Sequence, residues 1–251
     1  MELQQKIVLS TELEKLGGLI HAWSIPAVLT CPGRSTTCVS VCYAIRSRMA
    51  MKSVQAAYTR NYTFSRTEQF VPWMRKYLRT HPVRVLRIHG SGDFYDEEYV
   101  QKWYSIAKAC PEVVFYSYTR SWRDLMLADL IALGRLPNVC LWWSFDRETG
   151  SPPMIAGIRR AYMAVDDLDA SRAPDDADLV FRVRRRTPMK KANGVLVCPA
   201  ENGIQGKFKH TCTTCGLCWN KQRWPSQASL FFEQLGIDIL AEENEEETQV
   251  C

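Results

Sequence analysis

The sequence contains no apolar run that approaches the roughly 18 residues of a membrane span, so no membrane partner is expected. Its opening residues, Met1 to Leu16, lack a basic stretch followed by an apolar core. A secretory signal is therefore not expected, and a cytoplasmic protein is. Internal repeats and low-complexity linkers are absent, which argues against solenoids and tethered arrays. There is no dinucleotide-binding glycine fingerprint, no phosphate-loop sequence and no serine–histidine–aspartate order. Gly90-x-Gly92 alone is too short to stand for any of them.

The 251-residue chain has an ordinary globular composition, 46% hydrophobic and 24% charged. This lies close to the average of roughly 45–50% and about 25%, and it rules out global disorder and collagen-like or mucin-like classes. The length suits one large domain, or one domain with a small appendage. The ten cysteines are the anomaly. Small secreted domains use that many as disulfide staples, but a chain this long can bury enough core without them.

Apolar spacing and punctuation predict strands at Leu19–Trp23, Val83–Ile88, Val113–Tyr118, Val139–Ser144, Leu179–Val183 and Val195–Cys198. They predict helices at Val39–Tyr58, Glu68–Thr80, Glu97–Ala109, Trp122–Leu133, Pro153–Met163 and Gln227–Leu235. Alternating strands and helices argue for a parallel α/β architecture. Six strands are too few for a full barrel of about eight. The expectation is a partial, open parallel β/α barrel or an open sheet with a C-terminal cysteine-rich lobe. Residues 1–197 would form the core, 198–240 the lobe with a closing helix, and 241–251 an acidic disordered tail. In such folds the site lies at the carboxyl ends of the strands. Cys31, Asp93, Thr119-Arg120-Ser121, Ser144-Phe145-Asp146, Arg184 and Cys198 fall there.

Charge is unevenly distributed. The net charge is +5, with five glutamates between Glu242 and Glu247. Six aspartates between Asp166 and Asp178 precede a basic run of Arg182, Arg184, Arg185, Arg186, Lys190 and Lys191. That run could meet nucleic acid or a host protein, or pair with the aspartates before it.

Seven cysteines group by spacing. Cys31-x6-Cys38-x3-Cys42 follows the first strand, and Cys212-x2-Cys215-x2-Cys218 follows Cys198-Pro199. The second arrangement suits an iron–sulfur cluster, for which tight equal spacing with a distal Cys-Pro is characteristic. Zinc, with His210 as a further ligand, is the alternative. The first triplet suggests a cluster with one iron not held by cysteine. His21, His89 or a remote cysteine could instead complete it, and a single cluster drawing on both triplets is also conceivable. One or two [4Fe–4S] clusters are thus expected. Cys110 and Cys140 read as core residues and Cys251 as a tail residue. Trp219 and Trp224 are candidates to shield the second cluster.

Several segments together resemble the phage "gene product 88" family. They are Ala22-Trp23-Ser24-Ile25-Pro26-Ala27 with Thr30-Cys31-Pro32-Gly33, Val41-Cys42-Tyr43-Ala44, Arg87-Ile88-His89-Gly90-Ser91-Gly92-Asp93-Phe94, Phe115-Tyr116-Ser117-Tyr118-Thr119-Arg120-Ser121, and Cys198-Pro199 through Cys218. The resemblance implies a phage origin, hence the host cytoplasm, and little about activity. An architectural similarity to radical S-adenosylmethionine (SAM) enzymes also arises. Those carry a three-cysteine cluster loop after the first strand and a Gly-Gly-Glu-like turn after the second. Gly90-Ser91-Gly92-Asp93 is similar in place and chemistry. The similarity implies that this turn binds SAM, with Asp93, His89 and Arg120 as catalytic candidates. Two departures stand against it: the cysteine spacing is x6 and x3 rather than x3 and x2, and the acid is Asp93 rather than glutamate.

Overall fold

The computed structural model describes residues 7, 9–11, 14–46, 48–123, 125–204 and 210–223. The expected helix at Gln227–Leu235, the tail at 241–251, Trp224 and Cys251 lie outside the described residues.

Six strands form one parallel sheet in chain order: β1 (Ile20–Trp23), β2 (Val85–Ile88), β3 (Val114–Thr119), β4 (Val139–Phe145), β5 (Arg159–Ala164) and β6 (Leu179–Arg182). The helices are α1 (Thr36–Ser40), α2 (Lys52–Ser65), α3 (Phe70–Thr80), α4 (Glu97–Ala109), α5 (Leu127–Gly134), α6 (Asp167–Ala170) and α7 (Cys212–Cys215). A two-stranded antiparallel ribbon, β7 (Lys191–Ala192) and β8 (Val195–Leu196), follows the sheet. The sheet is open, as expected. Single bridges cover its two edges, Ser10 against Ala22 on β1 and Val197 against Val180 on β6. Covered edges present no template for a foreign strand.

Because the strands run in chain order and crossovers share one hand, the helices collect on one face. Phe64 of α2, Phe70 and Met74 of α3, Val100, Trp103 and Ile106 of α4, and Leu130 and Leu133 of α5 pack there. They meet Trp23, Leu86, Ile88, Phe115, Leu141 and Trp143 from the strands. The opposite strand positions, Ile20, Ala22, Val85, Tyr116, Cys140, Trp142, Ala161 and Leu179, pack under Leu16, Cys198, Ala200 and Cys218. Both faces are covered, which is why the strands read as continuous apolar runs. Helix α4 shows the local logic. Asp96 caps it by accepting from the Tyr99 amide at 2.8 Å, and Glu97 and Glu98 fill its first turn. Those acids complement the helix dipole.

Three elements differ from expectation. Pro153–Met163 is not a helix; its second half is the start of β5. The spacing of Ile155, Ile158 and Tyr162 mimics a helical stripe, but Gly157 takes a left-handed φ of 83° and turns the chain into an alternating strand. Val195–Cys198 is not a sixth strand of the sheet; it contributes only the ribbon and one bridge. The long helix expected over Val39–Tyr58 is also divided, into α1, two short turns and α2.

Candidate functional site

The first cysteine set sits at the carboxyl end of β1. The turn before it, Ala27–Thr30, holds Val28 at φ 69°, a conformation that a β-branched residue rarely adopts. Such strain concentrates at functional sites. Cys38 rides on α1, whose cap is Ser35. The Ser35 hydroxyl accepts from the Cys38 amide at 2.9 Å and donates to Asp146 at 2.5 Å. The exposed Glu148 carboxylate accepts from the Thr36 and Thr37 amides at 3.1 and 2.8 Å. These bonds pull Glu148 down to about 2, against a small opposing effect of burial. Gly33 abuts the Arg120 backbone so closely that a Cβ would stand 2.0 Å from its carbonyl oxygen. Tyr43, next to Cys42, donates to the Gly90 carbonyl at 2.6 Å. The loop is thus fastened to the ends of β2, β3 and β4.

Gly90-Ser91-Gly92-Asp93 follows β2 and lies against the same loop. Gly92 has a φ of 82°, and a Cβ there would meet Ile25 at 2.4 Å and Thr30 at 2.6 Å. Glycine is required on both counts. The Ser91 hydroxyl is buried with no partner among the described residues. Asp93 is buried and accepts from the Phe94 and Arg120 amides, each at 2.8 Å. Burial raises Asp93 to about 6, with the Thr119 hydroxyl and these two amides opposing. Cys31 lies beside Asp93, Cys38 and Cys42; burial above all, and then these negative neighbours, push its thiol up to about 12. Cys38 is raised by burial, with Arg120 opposing. Arg120 donates to Asp146 at 2.7 Å and reaches the Met163 sulfur at 3.6 Å. The structure therefore brings Cys31, Cys38, Cys42, Asp93 and Arg120 together. His89 faces the other way. It packs on Phe94 and Tyr99, its Nε2 lies 3.1 Å from the Tyr99 hydroxyl, and burial lowers it to about 3.

The second cysteine set covers the sheet face opposite the helices. Cys212 and Cys215 bracket α7, which a Thr211–Thr214 capping box opens and Gly216 closes at φ 70°. The Trp142 indole donates to the Cys218 carbonyl at 3.0 Å and the Trp219 indole to the Cys212 carbonyl at 2.9 Å. Cys198 is buried and pushed to about 12 by burial, with Lys15 opposing. Burial also raises Cys212 and Cys218, and each of the two is electrostatically coupled to Cys198, directly or through Lys15 and Glu201. Lys15, which pairs with Glu201, is one cation beside these thiols, and Arg87 is a second beside Cys212. His210 is exposed. Cys110 and Cys140 lie in the two cores, as expected of structural residues.

Among the described residues, no three His, Cys, Asp or Glu side chains converge as they would on one metal ion. A single zinc, with Zn–S near 2.3 Å, would draw its thiolates to about 3.8 Å of one another.

The basic run divides. Arg182 is buried and donates to Asp167 at 2.7 Å and to the Thr187 and Glu201 carbonyls at 2.8 and 2.6 Å. Arg185 is buried against the Ala200 carbonyl. Arg184, Arg186, Lys190 and Lys191 are exposed.

Sequence reasoning assigned no role to Ser35, Asp146, Glu148, Lys15 or Arg87. Asp146 had a signal in its place at a strand end, and Arg87 had one as a lone cation within an apolar strand. Lys15 had none, since its contact with Glu201 spans 186 residues.

The fold and site define an α/β protein with one cysteine set at the carboxyl end of β1 and the other on the sheet face opposite helices α2–α5 of an open parallel sheet. The chain belongs to the gene product 88 family, whose sequence model matches residues 2–221. It is 26% identical over 225 residues to the Gene 88 protein of Mycobacterium phage L5, covering 82% of this chain and 85% of that protein. It is 24% identical over 227 residues to the Gene 88 protein of Mycobacterium phage D29, with the same coverage. No solved structure matches the chain. No helix among the described residues is long and apolar enough to cross a membrane.

Proposed function

We propose that this is a phage-encoded iron–sulfur protein acting in the host cytoplasm. Cys31, Cys38 and Cys42 would hold one [4Fe–4S] cluster with an iron left open. Cys198, Cys212, Cys215 and Cys218 would hold a second. The observation that carries the reading is the grouping of Cys31, Cys38 and Cys42 beside buried Asp93 and the unpartnered Ser91 hydroxyl. The equal two-residue spacing of Cys212, Cys215 and Cys218, with the distal Cys198-Pro199, suits a multi-iron centre better than zinc. Burial raises the Cys31 and Cys38 thiols, so loading there must displace protons.

If bound, a cluster of this kind would supply one-electron redox chemistry beside Asp93 and Arg120. The chain's own groups then have definable tasks. The Gly90–Asp93 turn allows close backbone approach. The lone pairs of Asp93 not used by the Phe94 and Arg120 amides can accept from an ammonium, such as that of SAM. Arg120, fixed by Asp146, places positive charge beside Cys38. This is the radical-SAM-like version of the reading. Anaerobic protein reduced with dithionite in the presence of SAM yields 5′-deoxyadenosine if the version holds. Absence of cleavage, with no spectral change on adding SAM, rejects it.

A second reading rests on the exposed Arg184, Arg186, Lys190 and Lys191. It is a non-catalytic module that binds nucleic acid or a host protein, with structural iron–sulfur or zinc sites. It predicts salt-dependent binding that falls when these four become alanine.

A further inference from the structure

On each strand from β2 to β5, and on β6, a residue near the carboxyl end of the face opposite helices α2–α5 stays half-buried: Arg87, Tyr118, Ser144, Met163 and Phe181. The layer below them is closed by the second cysteine set. Above them stands the first set, with Arg120 reaching Met163. A shallow, partly exposed basin therefore remains on this otherwise covered face, between the two cysteine sets.

Its one strand-borne cation without a carboxylate is Arg87. Arg159, Arg160 and Arg182 each pair with an aspartate, as does Arg120 just past β3, whereas among the described residues no acid lies within ion-pair distance of Arg87. Its Nε donates to the His89 carbonyl at 3.2 Å, and its guanidinium lies 5.7 Å from the centre of the Tyr118 ring. This fixes the plane of the group and leaves its terminal nitrogens without a described protein partner. The His89 backbone that receives the bond is held at φ 68°. Nearby, the buried Tyr116 hydroxyl also has no described partner. Tyr118 and Phe181 meet edge to face at 5.1 Å and form an aromatic wall beside the cation.

We infer that this basin binds a small aromatic oxyanion. Its carboxylate or phosphate pairs with the Arg87 fork, and its ring lies against Tyr118 and Phe181. A fixed guanidinium fork matches a planar or tetrahedral oxyanion through two parallel bonds. The inference deepens the preceding reading by naming a substrate class. It rests on that reading for the basin's being a reaction site, while binding itself needs no cluster.

The test titrates anaerobically purified full-length protein with benzoate, phenyl phosphate and uncharged benzyl alcohol by calorimetry. Iron and sulfide are measured on the same sample, so loss of the iron–sulfur reading is seen separately. Benzoate or phenyl phosphate, whichever matches the fork, binds at one site, and benzyl alcohol does not. Arg87→Gln weakens that binding tenfold or more, as loss of a charged paired contact should, and Arg87→Lys weakens it less. In the unaltered protein the bound ligand also protects Arg87 from phenylglyoxal, read by peptide mass spectrometry, so the test survives a variant that fails to fold. The inference is overturned if neither oxyanion binds, or if binding leaves Arg87 unprotected. It is equally overturned if Arg87→Gln binds like the parent and only its iron content changes. In that last case Arg87 merely balances the thiolate charge of Cys212.

Discussion

Removing the Ser35 hydroxyl tests how the first cysteine loop is held. In Ser35→Ala the Cys38 amide loses its cap, worth about 1 kcal/mol. Asp146 loses a 2.5 Å bond, and a hydrogen bond to a charged group is worth roughly 1.5–3 kcal/mol. Asp146 keeps Arg120 and the Glu148 and Thr149 amides, so the carboxylate is not orphaned. The loss therefore falls on the attachment of α1 rather than on the fold. The two effects together amount to roughly 2–4 kcal/mol, a shift of about 30- to 1,000-fold in the local opening equilibrium. Amide hydrogen exchange of a peptide spanning residues 31–42 reads this directly, because local opening governs exchange there. The expected result is exchange in that peptide accelerating by this factor, or to the unprotected limit, while α4 peptides are unchanged. Unaltered protection at 31–42, or equal loss of protection everywhere, would refute the latch.

Other perturbations separate the roles of neighbouring groups. His89 is held uncharged by burial and then by Arg87, at about 3 against its usual 6.5. The unfolded chain takes up that proton first, so the stabilisation is complete above 6.5 and is lost as the pH falls from there towards 3. His89→Asn, which tolerates the φ of 68°, should flatten the acid limb of a urea-denaturation series between those limits; parallel curves would show that His89 is not buried neutral. Gly33→Ala forces a Cβ against the Arg120 backbone, and overpacking of this kind costs about 1–3 kcal/mol. Thermal unfolding should shift down by several degrees, and an unchanged Tm would contradict the close approach. Arg182→Ala leaves Asp167 without its buried partner and should destabilise by about 3–5 kcal/mol. The exposed Arg184→Ala should stay within about 0.5 kcal/mol. Equal effects in denaturant titrations would remove the distinction between the inward and outward arginines.

The parallel sheet was legible because both of its faces are covered. Strands such as Val139–Phe145 then become continuous apolar runs that neither solvent nor a turn interrupts. The misreading at Pro153–Met163 has a definite cause. A short apolar segment carries both periods at once, and the deciding event is the left-handed turn at Gly157, which sequence spacing does not weigh. The two groups of cysteines were legible from spacing, and the placement of the first at the end of β1 followed from the architecture. The groups that fasten them were not. Ser35 meets Asp146 across 111 residues and Lys15 meets Glu201 across 186. Such contacts exist only once the sheet has brought the ends together. Arg182 illustrates the reverse error of reading a surface from composition. A run of cations looks solvated, yet strand alternation turns Arg182 inward onto Asp167 and the Glu201 carbonyl.

The central claim is the iron–sulfur chemistry of the seven cysteines, and elemental analysis of anaerobically purified full-length protein tests it most directly. The account predicts iron and acid-labile sulfide in equal amounts and a brown protein, with part of both lost when Cys31, Cys38 and Cys42 become alanine. Zinc in place of iron, in a colourless protein without sulfide, would contradict it.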